Sequence, residues 1–519
     1  MSINSVGREI PEHIGDRKLI PYMGPFAKEP ESTIIVKKKQ TKIMPGESKM
    51  KYSIIDAIKA SGLKDGMTIS FHHHFREGDK VIGLVLTAIR ELGIKNLRFA
   101  PSAVVNIKNP SIVDFVKDGT INRIEASGIR GQLGDAVIDG LMEEPIILRT
   151  HGSRPRAIEN GELSIDVAFI AAAASDDYGN ANGFSGPNAC GALGYSMIDA
   201  KCAEKVVVIT DTLVDFPLAP ATISQHEVDY VVVVDEVGDS ASIGKGAARV
   251  TKNPRDLLIA KNTANAIANC GYFKDGFTFL TGVGAVSIAC IQFLREKMIE
   301  QNIKAGAAIG GIPAAVLHLH QEGLVKIIEA VQSFDAESAK AMGKDPTIVE
   351  CDNNVYSNIH NKGNMVNKTD IGILGALEVD IDFNVNILTG SSGEMLGGLG
   401  GGPDVAAGAE VSIVTIPLFR GRTPSIVKKV FTVCTPGETI ALVVTELGVS
   451  INPKHKNYKV LKENLSGSNI NIIPIEELQQ RAEEITGVPK PIECTDRIVA
   501  IVEYRDGTVI DVIKQIKKI

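Results

Sequence analysis

DVAFIAAAASDDYGNANGFSG, from Asp166 to Gly186, and DIGILGALEVDIDFNVNILTG, from Asp370 to Gly390, align without a gap. Each opens on an aspartate, runs through an apolar stretch and ends in a turn with two asparagines, Asn180 and Asn182 in one, Asn384 and Asn386 in the other. The flanking blocks repeat as well. KDGMTISFHHHF near Lys64 and KDGFTFLTGVGA near Lys274 precede the copies, and DYVVVVDEVG near Asp229 and TIALVVTELG near Thr439 follow them. A block order kept through both halves predicts two similar units joined by internal duplication, and a cleft between facing units is the usual place for a ligand.

Within each half, continuous apolar runs rich in β-branched residues alternate with helical spacing. IDVAFIAAAA, KVVVIT and YVVVVDEV in the first half, and GAAIGGI, IGILGALEVD, VSIVTI and IALVVTEL in the second, read as strands covered on both faces. VIGLVLTAIREL and SIACIQFLREKMIE read as helices between them. The fold class is therefore α/β, with an arm over 1–50, a first unit over 51–243 and a second over 244–519. The arm carries five prolines and a KKKQTK run, a composition suited to lying on a larger surface. At the other end, EELQQRAEEITG predicts a helix, and RIVAIVEYRDGTVIDVIKQI a hairpin turning at Asp506-Gly507.

Bulk properties narrow the function. A chain of 519 residues, 44% hydrophobic, has the length for two or three cored domains. A net charge of −7 argues against a general nucleic-acid binder, which needs a basic face. The seven cysteines have no CxxC or Cys/His spacing suited to zinc and read as buried thiols in a reducing cytosol. The charged N-terminus lacks the apolar core of a signal peptide, and no run approaches a membrane span, so the expectation is a cytoplasmic protein with no membrane partner.

Three features can carry chemistry. GGLGGG, Gly397 to Gly402, lets successive N–H groups converge on a phosphate or a developing oxyanion, although a flexible turn explains the same run. It fits neither a Walker A nor a dinucleotide fingerprint. His72-His73-His74 follows the strand MTISF; on an extended segment His72 and His74 share a face, and without a third ligand at workable spacing they suit an anion better than a metal. Arg76, Arg130, Arg154, Arg156, Arg420 and Arg422 offer forks for carboxylates, of which two or three are expected at a substrate. No GxSxG elbow or Cys near a His supplies a nucleophile.

Taken together, SIDVAFIAAAASDDYGNAN, ALEVDIDFNVN, GGLGGG and VVTELGV resemble the two-domain CoA-transferases. Over essentially the whole chain, blocks such as SFHHHFREGD, GNANGFSGPNACGALGY, NPRDLLIA and FNVNILTGSSG resemble the citrate lyase alpha subunits within that group. The resemblance implies a transferase that exchanges the acetyl group on a carrier-protein thioester for citrate and releases acetate. It implies a gamma carrier-protein subunit, a citryl-lyase beta subunit and a homo-oligomer within the complex. It further implies the carrier's phosphopantetheine-type group as the thiol, not bound covalently here, with a CoA thioester as surrogate.

Carried over residue by residue, the resemblance puts Asn386, Gly400 and Gly401 on the thioester oxygen and Glu446 beside the carboxylate pocket. Gly282 and Gly284 match the glycine turn that opens the second domain. His72, His74, Arg76 and Arg154 are expected to face citrate from the first unit. One departure matters: many CoA-transferases place a catalytic glutamate where this chain has Gly310-Gly311. A covalent glutamyl thioester gives way to direct attack by a citrate carboxylate, through a mixed anhydride. The rival readings are a thioester hydrolase, a CoA-transferase for another carboxylate, an effector-binding module and a scaffold subunit.

Overall fold

The computed structural model describes residues 2–27, 41, 43–104, 111–244 and 251–517. Its frame is two open sheets with one strand order. In the first, strands at 146–149, 121–126, 97–99, 68–70, 167–172, 205–210 and 230–233 lie side by side. In the second the series is 348–350, 325–333, 305–312, 278–281, 371–375, 411–415 and 442–444. Every neighbouring pair in both series is parallel. Parallel strands need cover on both faces, and their composition reflects it: Val167–Ala172 and Val411–Thr415 are buried at every position. The covering helix Val81–Glu91 turns Val81, Ile82, Val85, Leu86 and Ile89 to the core at helical spacing.

The repeated polar residues build the same joints twice. Asp166 accepts the Thr68 N–H and Asp370 the Thr278 N–H, both at 2.7 Å, pinning each repeat's first strand to its neighbour. In the turns, Asp176 accepts the Asn180 N–H and Asp380 the Asn384 N–H, both at 2.9 Å. The Asn182 side chain accepts from Phe184 and Ser185, as Asn386 does from Leu388 and Thr389. Side-chain bonds of this kind stand in for backbone pairing where the chain reverses. Each apolar run is also longer than its strand: residues 174–176 and 378–380 leave the main sheets for small three-stranded ones.

The ends of the chain depart from sequence continuity, which places 244–519 in a single unit. Cys494–Glu503 pairs in parallel with Ile146–Arg149 and antiparallel with Val509–Ile516, so the terminal hairpin extends the first sheet and forms its edge. Ala500, Val502 and Ile510 thereby join the first unit's core. The arm lies on this hairpin: Ile10 and Leu19 pack with Ile501 and Val509, and Tyr22 meets Tyr504 edge-on at 4.9 Å. Pro30 and all of the KKKQTK run except Thr41 fall outside the described residues. No described helix is long and apolar enough to cross a membrane.

Candidate active site

The units meet where strand ends of the first sheet face the glycine loop of the second. His151 N–H donates to Gly400 O at 2.8 Å and Leu399 N–H to Ser127 O at 2.6 Å, while Gly128 and Gly398 form an isolated bridge. The backbones approach so closely that a Cβ on Gly128 would overlap Gly398, so glycine is required there. Behind the loop, the buried Asp404 accepts from Thr150 Oγ1 at 2.8 Å and Gly152 N–H at 3.1 Å, and burial pushes its carboxyl up to about 6. The short helix Asn353–Ser357 of the second unit is clamped to the first. Asn353 donates to His151 O, Asn358 donates to Glu159, and Asp352 pairs with Lys201.

At this seam a cavity of about 200 Å3 is lined by His73, Arg76, Arg130, Gly128, Gly398 and Gly400. His73 Nδ1 lies 2.7 Å from Ser102 Oγ, and its ring centroid is 4.8 Å from that of Tyr195. Tyr195 Oη is 2.7 Å from His151 Nδ1. Burial lowers His151 to about 3 and holds His73 well below the usual histidine range, helped by neighbouring His151 and Arg76, so both rings are neutral. The cationic groups are the two arginines. Arg76 sits in the left-handed region at φ 49°, with its guanidinium 5.5 Å from the Phe334 ring centroid. A second cavity, about 450 Å3, is lined by Gly284, Ser287, Gly375, Ile387, Arg255 and Arg420. Gly284 caps the helix Ala285–Glu300 without a side-chain bond, leaving first-turn N–H groups for a ligand.

The glycine loop separates the two cavities. Gly400 lines the first, and a Cβ on Gly402 would lie 3.8 Å from Ile387, which lines the second. Gly401 and Gly310 converge on one atom, since a Cβ on either would come within 3.6 or 3.0 Å of Tyr356 Oη. Gly310 holds φ +93° at an irregularity of its strand, with Leu280 Cδ1 at 2.6 Å from its Cβ position, and Gly311 abuts the Phe334 ring. Gly282 donates to Ile373 O at 2.8 Å. Thus the seam collects Arg76, Gly310, Gly311, Gly400 and Gly401, and the second cavity takes Gly284.

Five expected residues stand elsewhere. Arg154 is buried and spent: it forms two bonds to Asp199, at 2.6 and 2.7 Å, and others to Ser70 Oγ and Ala100 O. His72 Nε2 sits 3.0 Å from the same Asp199, and His74 is buried beside it, so the middle histidine of the triplet is the one that reaches the cavity. His72 and His74 both turn inward, and the cavity lies on the other side of the segment, with His73. Asn386 is fully buried with both polar atoms engaged, its amide donating to Glu378 at 2.9 Å and Thr389 O at 2.8 Å. Glu446 accepts the Leu418 N–H at 2.9 Å and lines neither cavity.

Sequence reasoning missed His73, His151, Tyr195 and Tyr356. Tyr195 lies in the block GNANGFSGPNACGALGY, but His151 and Tyr356 stand in no motif, because their contacts exist only once the units dock. Among the described residues no group of three His, Cys, Asp or Glu is arranged to hold a metal ion.

The chain matches the family model "Citrate lyase, alpha subunit (CitF)" over residues 47–516. It is 46% identical over 506 residues to the citrate lyase alpha chain of Klebsiella pneumoniae, covering 98% of this chain and 97% of that one. To the alpha chain of Haemophilus influenzae it is 47% identical over 471 residues, covering 91% and 93%. Among solved structures, one described as the alpha subunit of citrate lyase from Streptococcus mutans, in complex with citrate, superposes with a TM-score of 0.95 at 46% identity, covering 99% of this chain and 100% of that one. A Pseudomonas malonate decarboxylase hetero-tetramer shares the fold alone, with a TM-score of 0.63 at 15% identity over 84% of this chain and 86% of that one. Matched in sequence and in fold over nearly its whole length, the chain belongs to the citrate lyase alpha subunits, enzyme subunits of the citrate CoA-transferase type.

Proposed function

We propose that this chain exchanges acyl groups on a carrier-protein thioester, converting acetyl carrier and citrate into citryl carrier and acetate. A citrate carboxylate oxygen attacks the acetyl carbonyl, the C–S bond breaks and the carrier thiolate leaves, giving an acetyl-citryl anhydride. The thiolate then attacks the citryl carbonyl, and the bond between that carbon and the bridging oxygen breaks, releasing acetate with the bridging oxygen and leaving the citryl thioester. No proton changes hands overall. The enzyme's work is to hold two partners in line and to stabilise charge on each tetrahedral oxygen.

The observation that carries this reading is the strand irregularity at Gly310-Gly311. Neither residue of that pair carries a carboxylate to form an enzyme thioester, and Leu280 and Tyr356 occupy the space a side chain at Gly310 would need. Citrate, a polyanion at neutral pH, is assigned to the cavity with Arg76 and Arg130, where a neutral His73 can donate or accept. Support comes from the S. mutans relative, solved in complex with citrate. The carrier's phosphopantetheine-type arm is assigned to the second cavity, where Arg255, Arg420 and a helix N-terminus suit its phosphate and the glycine loop receives its thioester. A beta subunit then cleaves the citryl thioester within a multi-subunit complex.

The test is mass spectrometry of acetylated carrier protein incubated with this chain and citrate, without a beta subunit. A shift from acetyl to citryl carrier is expected. Loss of acetyl without citryl would make the chain a hydrolase, and no change would leave it a scaffold.

A further inference from the structure

Tyr356 carries a hydroxyl that the fold does not use. The residue is 4% exposed, on the helix Asn353–Ser357 that both units clamp. Its Oη points at the gap between Gly310 and Gly401 and bonds to no described residue. The other seam phenol behaves differently, since Tyr195 is bonded to His151. A hydroxyl left without a partner on an otherwise buried side chain is available to a ligand, and phenylalanine would fill the same space without it. On the glycine loop beside Tyr356, the N–H groups of Gly400 and Gly401 likewise donate to no backbone acceptor among the described residues. Tyr356 Oη and the two loop N–H groups, all from the second unit, therefore stand together where that unit meets the first.

We infer that Tyr356 is a catalytic residue: its hydroxyl and the loop N–H groups donate to the carbonyl oxygen that becomes negative in each tetrahedral intermediate. The inference rests on the acyl-exchange reading above. In the first half-reaction the oxygen is that of the acetyl carbonyl, and its charge collapses as the C–S bond breaks. In the second it is that of the citryl carbonyl, and its charge collapses as the anhydride C–O bond breaks. Tyr356 keeps its proton throughout, because burial raises its phenol well above the usual range and makes it a donor rather than a base.

Tyr356→Phe removes one atom that has no partner among the described residues, so the fold should survive. With acetyl carrier protein and citrate as substrates, kcat should fall about 100-fold, the usual effect of losing one oxyanion donor, while the citrate KM stays within about twofold. Melting should be unchanged or slightly higher. Wild-type exchange with a variant kcat within about threefold would overturn the assignment and leave the transferase standing. A raised KM at unchanged kcat would make Tyr356 a binding contact and also overturn it. So would a lower melting point with activity regained on cooling. Absence of exchange by wild-type protein would instead remove the underlying reading.

Discussion

In an Arg154→Ala variant, Asp199 keeps its charge and loses two guanidinium bonds, 2.6 and 2.7 Å long. Neither residue has appreciable contact with solvent, so water has no easy route to replace them. His72 Nε2, 3.0 Å away, and Ser70 remain as partners, but Ser70 and Ala100 O each lose a donor as well. Removing one side of a buried pair costs about 3–5 kcal/mol. In a unit of about 200 residues each kcal/mol lowers the melting point by about 2–4 °C, so a drop of about 6–20 °C is expected. The double variant with Asp199→Ala should recover part of the loss, since no charge is then left unpaired.

The acid limb gives an independent sign. Burial pushes the Asp199 carboxyl up, but Arg154 and His72 outweigh it and hold the group below the usual range. A depressed folded pKa gives stability that is complete above the unfolded value near 4 and lost as pH falls below it. The gap in melting point between wild type and Arg154→Ala should therefore narrow in acid. The assay is thermal unfolding from pH 3 to 8, with citrate KM measured on folded protein. Melting within about 2 °C of wild type, together with a tenfold higher KM, would refute the reasoning and return Arg154 to the substrate.

Three further outcomes follow from the seam. Arg76→Ala should raise citrate KM by about 10–100-fold, the loss of one charge-assisted bond, with little change in melting; steady-state kinetics against citrate concentration check it. Gly310→Glu should not install a covalent mechanism: φ +93° and Leu280 at 2.6 Å from the Cβ position should destabilise by about 2–5 kcal/mol, and intact-mass analysis with acetyl carrier should find no enzyme adduct. Asn386→Ala should cost about 1–3 kcal/mol by leaving the Leu388 and Thr389 N–H groups unpaired, while kcat of the folded variant is retained; unchanged melting with a collapsed kcat would restore its catalytic reading.

What was legible in the sequence was whatever local residues determine. Asp166 and Asp370, and the Asp176-Asn180 and Asp380-Asn384 turns, recur because each half needs the same joints, so the α/β class and the matching joints could be read directly. The same recurrence misled about Asn386: a residue repeated in both halves has a role that both halves share, and that role is the turn. The glycine loop was legible because only glycine permits the approach of Gly128 to Gly398. Docking decided the rest. Which histidine of the triplet faces the cavity depends on Asp199, more than a hundred residues away, and Arg154 looked like a free cation because its partner lies on another element. The terminal hairpin joined the first sheet because the free edge at Ile146–Arg149 accepts a parallel strand, a long-range pairing that adjacent sequence does not mark.

Direct attack of citrate on the acetyl thioester, with no glutamyl intermediate, can be followed by oxygen tracing in a single turnover. Citrate labelled with 18O in its carboxylates is mixed with a limiting amount of acetyl carrier protein and an excess of this chain, and the released acetate is analysed by mass spectrometry. The anhydride route transfers the bridging oxygen, so the acetate should carry one 18O. Acetate without label would mean that its new oxygen came from an enzyme carboxylate or from water, and would contradict the account.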